Sequence, residues 1–220
     1  MKRITFLIFI ILFASAHIAF TESESIEKRF TFSEQKSLND WEEKIFKGRV
    51  HYSVEEMGQL GQVRALSDKA ASSMYYKIKF KPQQYPMISW KWQVLRLPSK
   101  ITDDIKSTKF EDYAARIMVI FPSGFFPNSK ALEYIWDNKL PVGTIFSSPY
   151  TANVKILVLQ SGEENKGKWI FEERNIYEDY KKAFGSYPKL RVGAIAFMTN
   201  SDNSQDKAEA LYTGIRIGYK

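Results

Sequence analysis

Two stretches of strict alternation constrain this chain more than anything else in it. Met74, Tyr76, Ile78 and Phe80 alternate with Ser73, Tyr75, Lys77 and Lys79; Ile88, Trp90, Trp92 and Val94 alternate with Ser89, Lys91 and Gln93. Successive side chains of an extended strand point to opposite faces, so a period of two marks a strand with one buried and one wet face. Runs at 49–56, 62–67, 111–121, 131–137, 154–160, 168–176, 191–199 and 209–219 read as further strands. Pro82, Pro86, Pro98, Pro122, Pro141, Pro149 and Pro188 fall between these runs or at their ends, where a residue without an amide donor is tolerated. Residues 177–184 alone read as a helix, with Glu178 and Lys182 four apart and Gly185 as its cap. Many short strands, one short helix and no internal repeat predict an all-β fold, a jelly-roll-like β-sandwich of two antiparallel sheets.

Ahead of the strands, Lys2 and Arg3 precede an apolar run at 4–13 and the small residues Ala14, Ser15 and Ala16. That order reads as a signal peptide over 1–16, followed by a polar leader over 17–28 and a single domain over 29–220. The apolar run is shorter than the ~20 residues a membrane span needs, and His17, Glu22 and Glu24 follow it. Cleavage is therefore expected over retention as an anchor, and the protein is expected in the periplasm or secreted. No other segment approaches transmembrane length. The chain has no cysteine, which removes disulfides, thiolate metal sites and a cysteine nucleophile from consideration. Its net charge is +7, with Lys2 and Arg3 supplying two of the positive charges. The charges are mixed in sign along the chain and form no basic tail, so a nucleic-acid partner is not expected.

Catalytic signatures are few. With His51 the one histidine of the domain, three-histidine zinc and two-histidine iron sites are excluded. His51 itself reads as structural, since no partner motif surrounds it. Residues 162–168 imitate a phosphate-binding loop, but Trp169 stands where the hydroxyl residue belongs and no helix follows. The segment reads as a hairpin turn. No cofactor is expected. The stretch 200–206 is rich in oxygen ligands and admits a structural Ca2+, yet it lacks the glycine and terminal glutamate of an EF-hand loop; an Asx-rich turn is the better reading. Lys77, Lys79 and Lys81 on one strand face read as edge protection.

The unusual feature is charge inside strands. In 111–121 one face carries Tyr113, Ala115, Ile117, Val119 and Phe121, and the other carries Asp112, Ala114, Arg116, Met118 and Ile120. Four extended residues span ~13 Å, so Asp112 and Arg116 would need partners from elsewhere. Glu133, Glu172 and Arg174 also lie in strands, and Asp202 precedes the last one. Cross-strand ion pairing on a wet face explains these residues as well as a ligand groove does. If they form a groove, the six charged side chains converge on one side of the sandwich. Trp90 and Trp92 follow the apolar alternation and read as core. Trp136 reads as more open, because a long loop, 137–153, begins beside it and holds Asn153. The candidate ligand-binding set is thus Asp112, Arg116, Glu133, Trp136, Asn153, Glu172, Arg174 and Asp202.

Several short motifs in fixed order resemble a bacterial family known only as domain of unknown function 3047. They are Ile88, Ser89, Trp90, Lys91 and Trp92; Asp112 to Arg116; Ala131 to Trp136; Pro149 and Tyr150 with Asn153; Glu173, Arg174 and Asn175 with Asp179 and Tyr180; and Asp202 with Asn203. The resemblance covers roughly residues 30 to 220; Asn200 departs from it, standing where a threonine–aspartate pair is expected to begin. It implies a secreted sandwich similar to carbohydrate-binding modules and no established activity. The leading expectation is a non-catalytic binding domain for a glycan or other polar ligand. The alternatives are a glycan-cleaving enzyme using two of Asp112, Glu133, Glu172 and Asp202, and a structural envelope protein.

Overall fold

The computed structural model describes residues 27–56, 61–123 and 128–220; the signal segment and most of the leader lie outside the described residues. Thirteen strands and one α-helix follow in order: β1 Lys28–Phe30, β2 Glu42–Lys47, β3 His51–Glu55, β4 Gln62–Asp68, β5 Ala71–Phe80, β6 Met87–Arg96, β7 Ala115–Phe121, β8 Lys130–Asp137, β9 Ile145–Ser148, β10 Thr151–Ser161, β11 Ile170–Asn175, α1 Ile176–Phe184, β12 Val192–Asn200 and β13 Lys207–Tyr219. They form two sheets. One has six strands, ordered β11-β6-β13-β4-β3 with β1 added alongside β13; the other has seven, ordered β2-β5-β12-β7-β8-β10-β9. The fold is the expected all-β sandwich with one short helix. No helix among the described residues is long and apolar enough to cross a membrane.

The alternating residues supply the layer between the sheets. From the six-stranded sheet come Ile88, Trp90, Trp92, Val94 and Tyr212; from the seven-stranded sheet come Ile117, Val119, Phe121, Tyr134, Trp136 and Phe197. Trp90 packs edge-on against Trp92 at 5.4 Å, Trp92 meets Trp136 at 6.3 Å, and Phe197 meets Tyr212 at 5.1 Å. Such aromatic pairs add about 0.5–1.5 kcal/mol each beyond the area they bury. With no disulfide available, the domain rests on this buried apolar core, of which the aromatic layer is a large part.

Four local features differ from the sequence expectation. The stretch 137–153 is not a continuous loop: β9 pairs antiparallel with β10 inside it. Consequently β10 returns between β9 and β8 and pairs parallel with β8, a break in the otherwise antiparallel sheets. The turn at 162–168 is a crossover and not a hairpin, because β10 and β11 belong to different sheets. Finally, β7 begins at Ala115 and not at 111, since a short 3-10 turn at Thr108–Phe110 leads into irregular backbone. That late start moves Ala114 into the main core and Tyr113 out of it. The helix matches expectation, with Asn175 as N-cap accepting from the amides of Tyr177 and Glu178 and Gly185 left-handed at its end.

Outside the main core, two clusters cover the outer face of the seven-stranded sheet. Ala71, Met118, Ala196 and Met198 form one. Phe110, Tyr113, Ile135, Ile156 and Val158 form the other, with Ile105 and Leu140 packed on it.

Candidate functional site

Register places the charged residues between those two clusters. Arg116 of β7 lies opposite Met198 of β12 on one side and Ile135 of β8 on the other; Glu133 lies opposite Met118. Both therefore emerge on the outer face. Arg116 Nη1 donates to Glu133 Oε2 at 2.9 Å and lies 3.9 Å from a Glu111 carboxylate oxygen. Its Nη2 donates to Asn200 Oδ1 at 3.1 Å, and the Tyr113 ring lies 4.7 Å from the guanidinium. The backbone amide of Arg116 donates to the Tyr212 hydroxyl, which reaches across from the six-stranded sheet. The hydroxyl of Tyr212 in turn donates to the Met198 carbonyl.

Asn200 ties this group together. Its amide nitrogen donates to the Glu111 carbonyl, to Asp112 Oδ1 and to Asp202 Oδ1, while its oxygen also accepts from the Tyr113 amide. Asp112 and Arg116 thus share Asn200, which the irregular backbone at 111–114 permits and an extended strand would not. Asp112 also accepts from the amides of Asn203 and Ser204. The oxygen-rich stretch 200–206 is therefore a turn organised around Asp112. Among the described residues no group of three or more histidines and acids is arranged to hold a metal. Ser148 of β9 donates to Glu111, and exposed Tyr150 stands just beyond it.

Beneath the cluster lies a buried lysine. Lys100 Nζ donates to the carbonyls of Phe110 and Asp112 at 2.8 and 2.6 Å, pairs with Asp137 at 3.1 Å, and lies 4.1 Å from the centres of the Phe110 and Tyr113 rings. It holds in place the backbone on both sides of Glu111.

The electrostatics are costly. Burial pushes the Glu133 carboxyl up to about 7, with Glu111 adding to the shift and Arg116 opposing it. Burial likewise draws Lys100 down to about 8 against the pull of Asp137. The Asp202 carboxyl is raised by burial, with Asp112 adding to the shift, despite the hydrogen bond from Asn200. Among the described residues, Arg116 Nε and the Tyr113 hydroxyl are buried without hydrogen-bond partners, and each such group costs about 1–3 kcal/mol. A sheet face selected for stability alone gains little from this arrangement, because apolar replacements of buried ion pairs are often neutral or stabilising.

The remaining candidates lie elsewhere. Glu172 and Arg174 of β11 pair in register with Trp90 and Ile88, so they point inward at the sandwich edge. There Gln160 donates to Glu172, and Arg174 grips Asp179 of α1, which also accepts from the Tyr134 hydroxyl at 2.9 Å. The six charged residues therefore divide: Asp112, Arg116, Glu133 and Asp202 come together, while Glu172 and Arg174 form a separate edge network. Trp136 is fully buried, its indole N–H donating to the Gly162 carbonyl; it shares the inward face with Tyr134, and the loop beside it does not expose it. Asn153 lies where β10 shifts register against β9. His51, read as structural, is exposed on edge strand β3. Glu111, Asn200 and Lys100 were missed because they lie at or beyond strand ends, where alternation gives no signal.

The model of a family described as protein of unknown function, DUF3047, matches residues 39–216. No curated protein matches the chain. Among solved structures, the chain is similar to a cellulase variant derived from Rhodothermus marinus (10% identity, TM-score 0.49, covering 87% of this chain and 97% of that one). It is also similar to the xyloglucanase domain of a Sinorhizobium fredii effector (11%, TM-score 0.45, 80% and 89%). A third is the family 30 carbohydrate-binding module of a Clostridium thermocellum cellulase (6%, TM-score 0.44, 82% and 92%).

Proposed function

The chain belongs to the DUF3047 family of proteins of unknown function, and on that footing we propose, from the site itself, that it is an exported, non-catalytic binding protein for a glycan or similar hydroxyl-rich ligand. The ligand meets the outer face of the seven-stranded sheet at Tyr150 and Asp202, above the buried Arg116 and Glu133. The observation that carries this reading is the buried Arg116–Glu133–Asn200 group on an outer sheet face, together with the charge it holds at a cost in stability. Fixed donors and acceptors of this kind orient sugar hydroxyls, and exposed Tyr150 beside them offers a ring on which a sugar can stack.

Glu111 and Glu133 also favour a second reading. Both lie within 4 Å of Arg116 Nη1, and Glu133 holds its proton near neutral pH. Two carboxyls gathered on one arginine, one of them raised toward neutrality by burial, are the kind of equipment that glycoside hydrolysis uses. One experiment addresses both readings. The protein is screened on a glycan array, and glycans that bind are then incubated with it and assayed for new reducing ends. Binding that falls about tenfold in Tyr150→Ala, with the melting temperature unchanged, supports the site. New reducing ends, lost in Glu133→Gln, would replace binding by cleavage. A failure to bind any glycan would sink both.

A further inference from the structure

A second recess opens where the edge strands of the two sheets, β2 and β3, come together, away from the Arg116 cluster. Its volume is about 480 Å³, within the range of small-molecule sites. Leu38, Val50 and Met74, all buried, form an apolar floor. Trp41, 5% exposed, makes one wall, and its indole N–H is buried without a hydrogen-bond partner among the described residues. Two acceptors and one hydroxyl proton around the recess are already engaged. Gln35 gives its carbonyl oxygen to the Val54 amide, Tyr52 donates its hydroxyl proton to the Ser72 carbonyl, and Glu43 is paired with Arg49. Donors remain in the Trp41 N–H, the Gln35 amide nitrogen and the remainder of the Arg49 fork, which has five N–H groups.

We propose that this recess binds a small molecule with an apolar body and a carboxylate. The body lies on Leu38, Val50, Met74 and the Trp41 ring, and the carboxylate takes hydrogen bonds from Arg49 and from the Trp41 indole. The site is independent of the glycan-binding face, because the two share no residue.

The test uses 3-phenylpropionate and its uncharged twin, 3-phenylpropanamide, on the intact protein. Titrations are followed by calorimetry and by the indole N–H resonances, with Trp41 assigned through Trp41→Phe. The carboxylate should bind saturably and move the Trp41 indole resonance, with the amide about tenfold weaker or more. Arg49→Ala should remove that preference. Glu43→Gln should tighten carboxylate binding, since it removes a competing negative charge beside the guanidinium. Arg49 is exposed, so the fold survives its loss. A Trp41 resonance that does not move, equal affinity for acid and amide, or weaker binding in Glu43→Gln would each overturn the proposal.

Discussion

A guanidinium only 4% exposed is tolerated when each neighbour is fixed before it arrives. Arg116 meets that condition through Glu133, Asn200, the Glu111 carbonyl and the ring of Tyr113. The same burial sets a pH dependence. The folded protein holds the Glu133 proton up to about pH 7, whereas an ordinary glutamate releases it near 4.5. Its stabilising contribution is therefore complete below pH 4.5 and lost as the pH rises through 7. Glu172 and Asp202, also raised by burial, act in the same direction. Asp206, held down to about 2 by Ser99, acts only in more acid solution, where its contribution disappears. Lys100 acts at the alkaline end: its contribution is complete above 10.5 and lost as the pH falls through 8. Urea unfolding should thus show stability falling between pH 4.5 and 7 as Glu133 loses its proton. Glu133→Gln should remove most of that slope; an unchanged slope would mean that Glu133 is ionised throughout. Arg116 was legible as an outward residue because alternation is a local property. Its hydrogen bond to Asn200 was not, since that bond joins positions 84 residues apart in sequence.

At the scale of elements, alternation succeeded within strands and failed at their ends. It placed Trp90, Trp92, Ile117 and Val119 in the core. It misassigned Tyr113 because the strand starts at Ala115, four residues later than the pattern suggests, and it could not place Glu172 or Arg174, whose facing depends on β11 pairing with β6. The short strand β9 was hidden in a stretch marked by Pro141, Gly143 and Pro149, where turn residues dominate the composition. The Arg174–Asp179–Tyr134 network joins β11, α1 and β8 and closes the side of the sandwich. Its role is mechanical support of the helix. Arg174→Met should lower stability by about 2–4 kcal/mol, because it leaves Asp179 nearly buried without its cation. Glycan binding should persist in the same variant. A variant that keeps its melting temperature but loses binding would join this edge to the ligand site.

For the molecule as a whole, composition and patterning were enough for the sandwich, while the order of strands was not, because strand order is fixed by contacts far apart in sequence. Export belongs to this scale as well. The basic residues, apolar run and small residues of 1–16 lead us to propose cleavage before His17. N-terminal sequencing of protein recovered from the periplasm should begin near His17; an intact Met1 on soluble cytoplasmic protein would contradict it.

The position of β13 carries a consequence for timing. It lies between β6 and β4 and also receives β1, so the six-stranded sheet remains in separate pieces until residues 207–219 have been synthesised. Tyr212, which anchors the backbone of Arg116, arrives with the same strand. A nascent chain that has not reached this point cannot complete its core, however much of the seven-stranded sheet it has made. Late closure of this sheet is in keeping with the export proposed above, since a chain that crosses a membrane must do so before its core is complete.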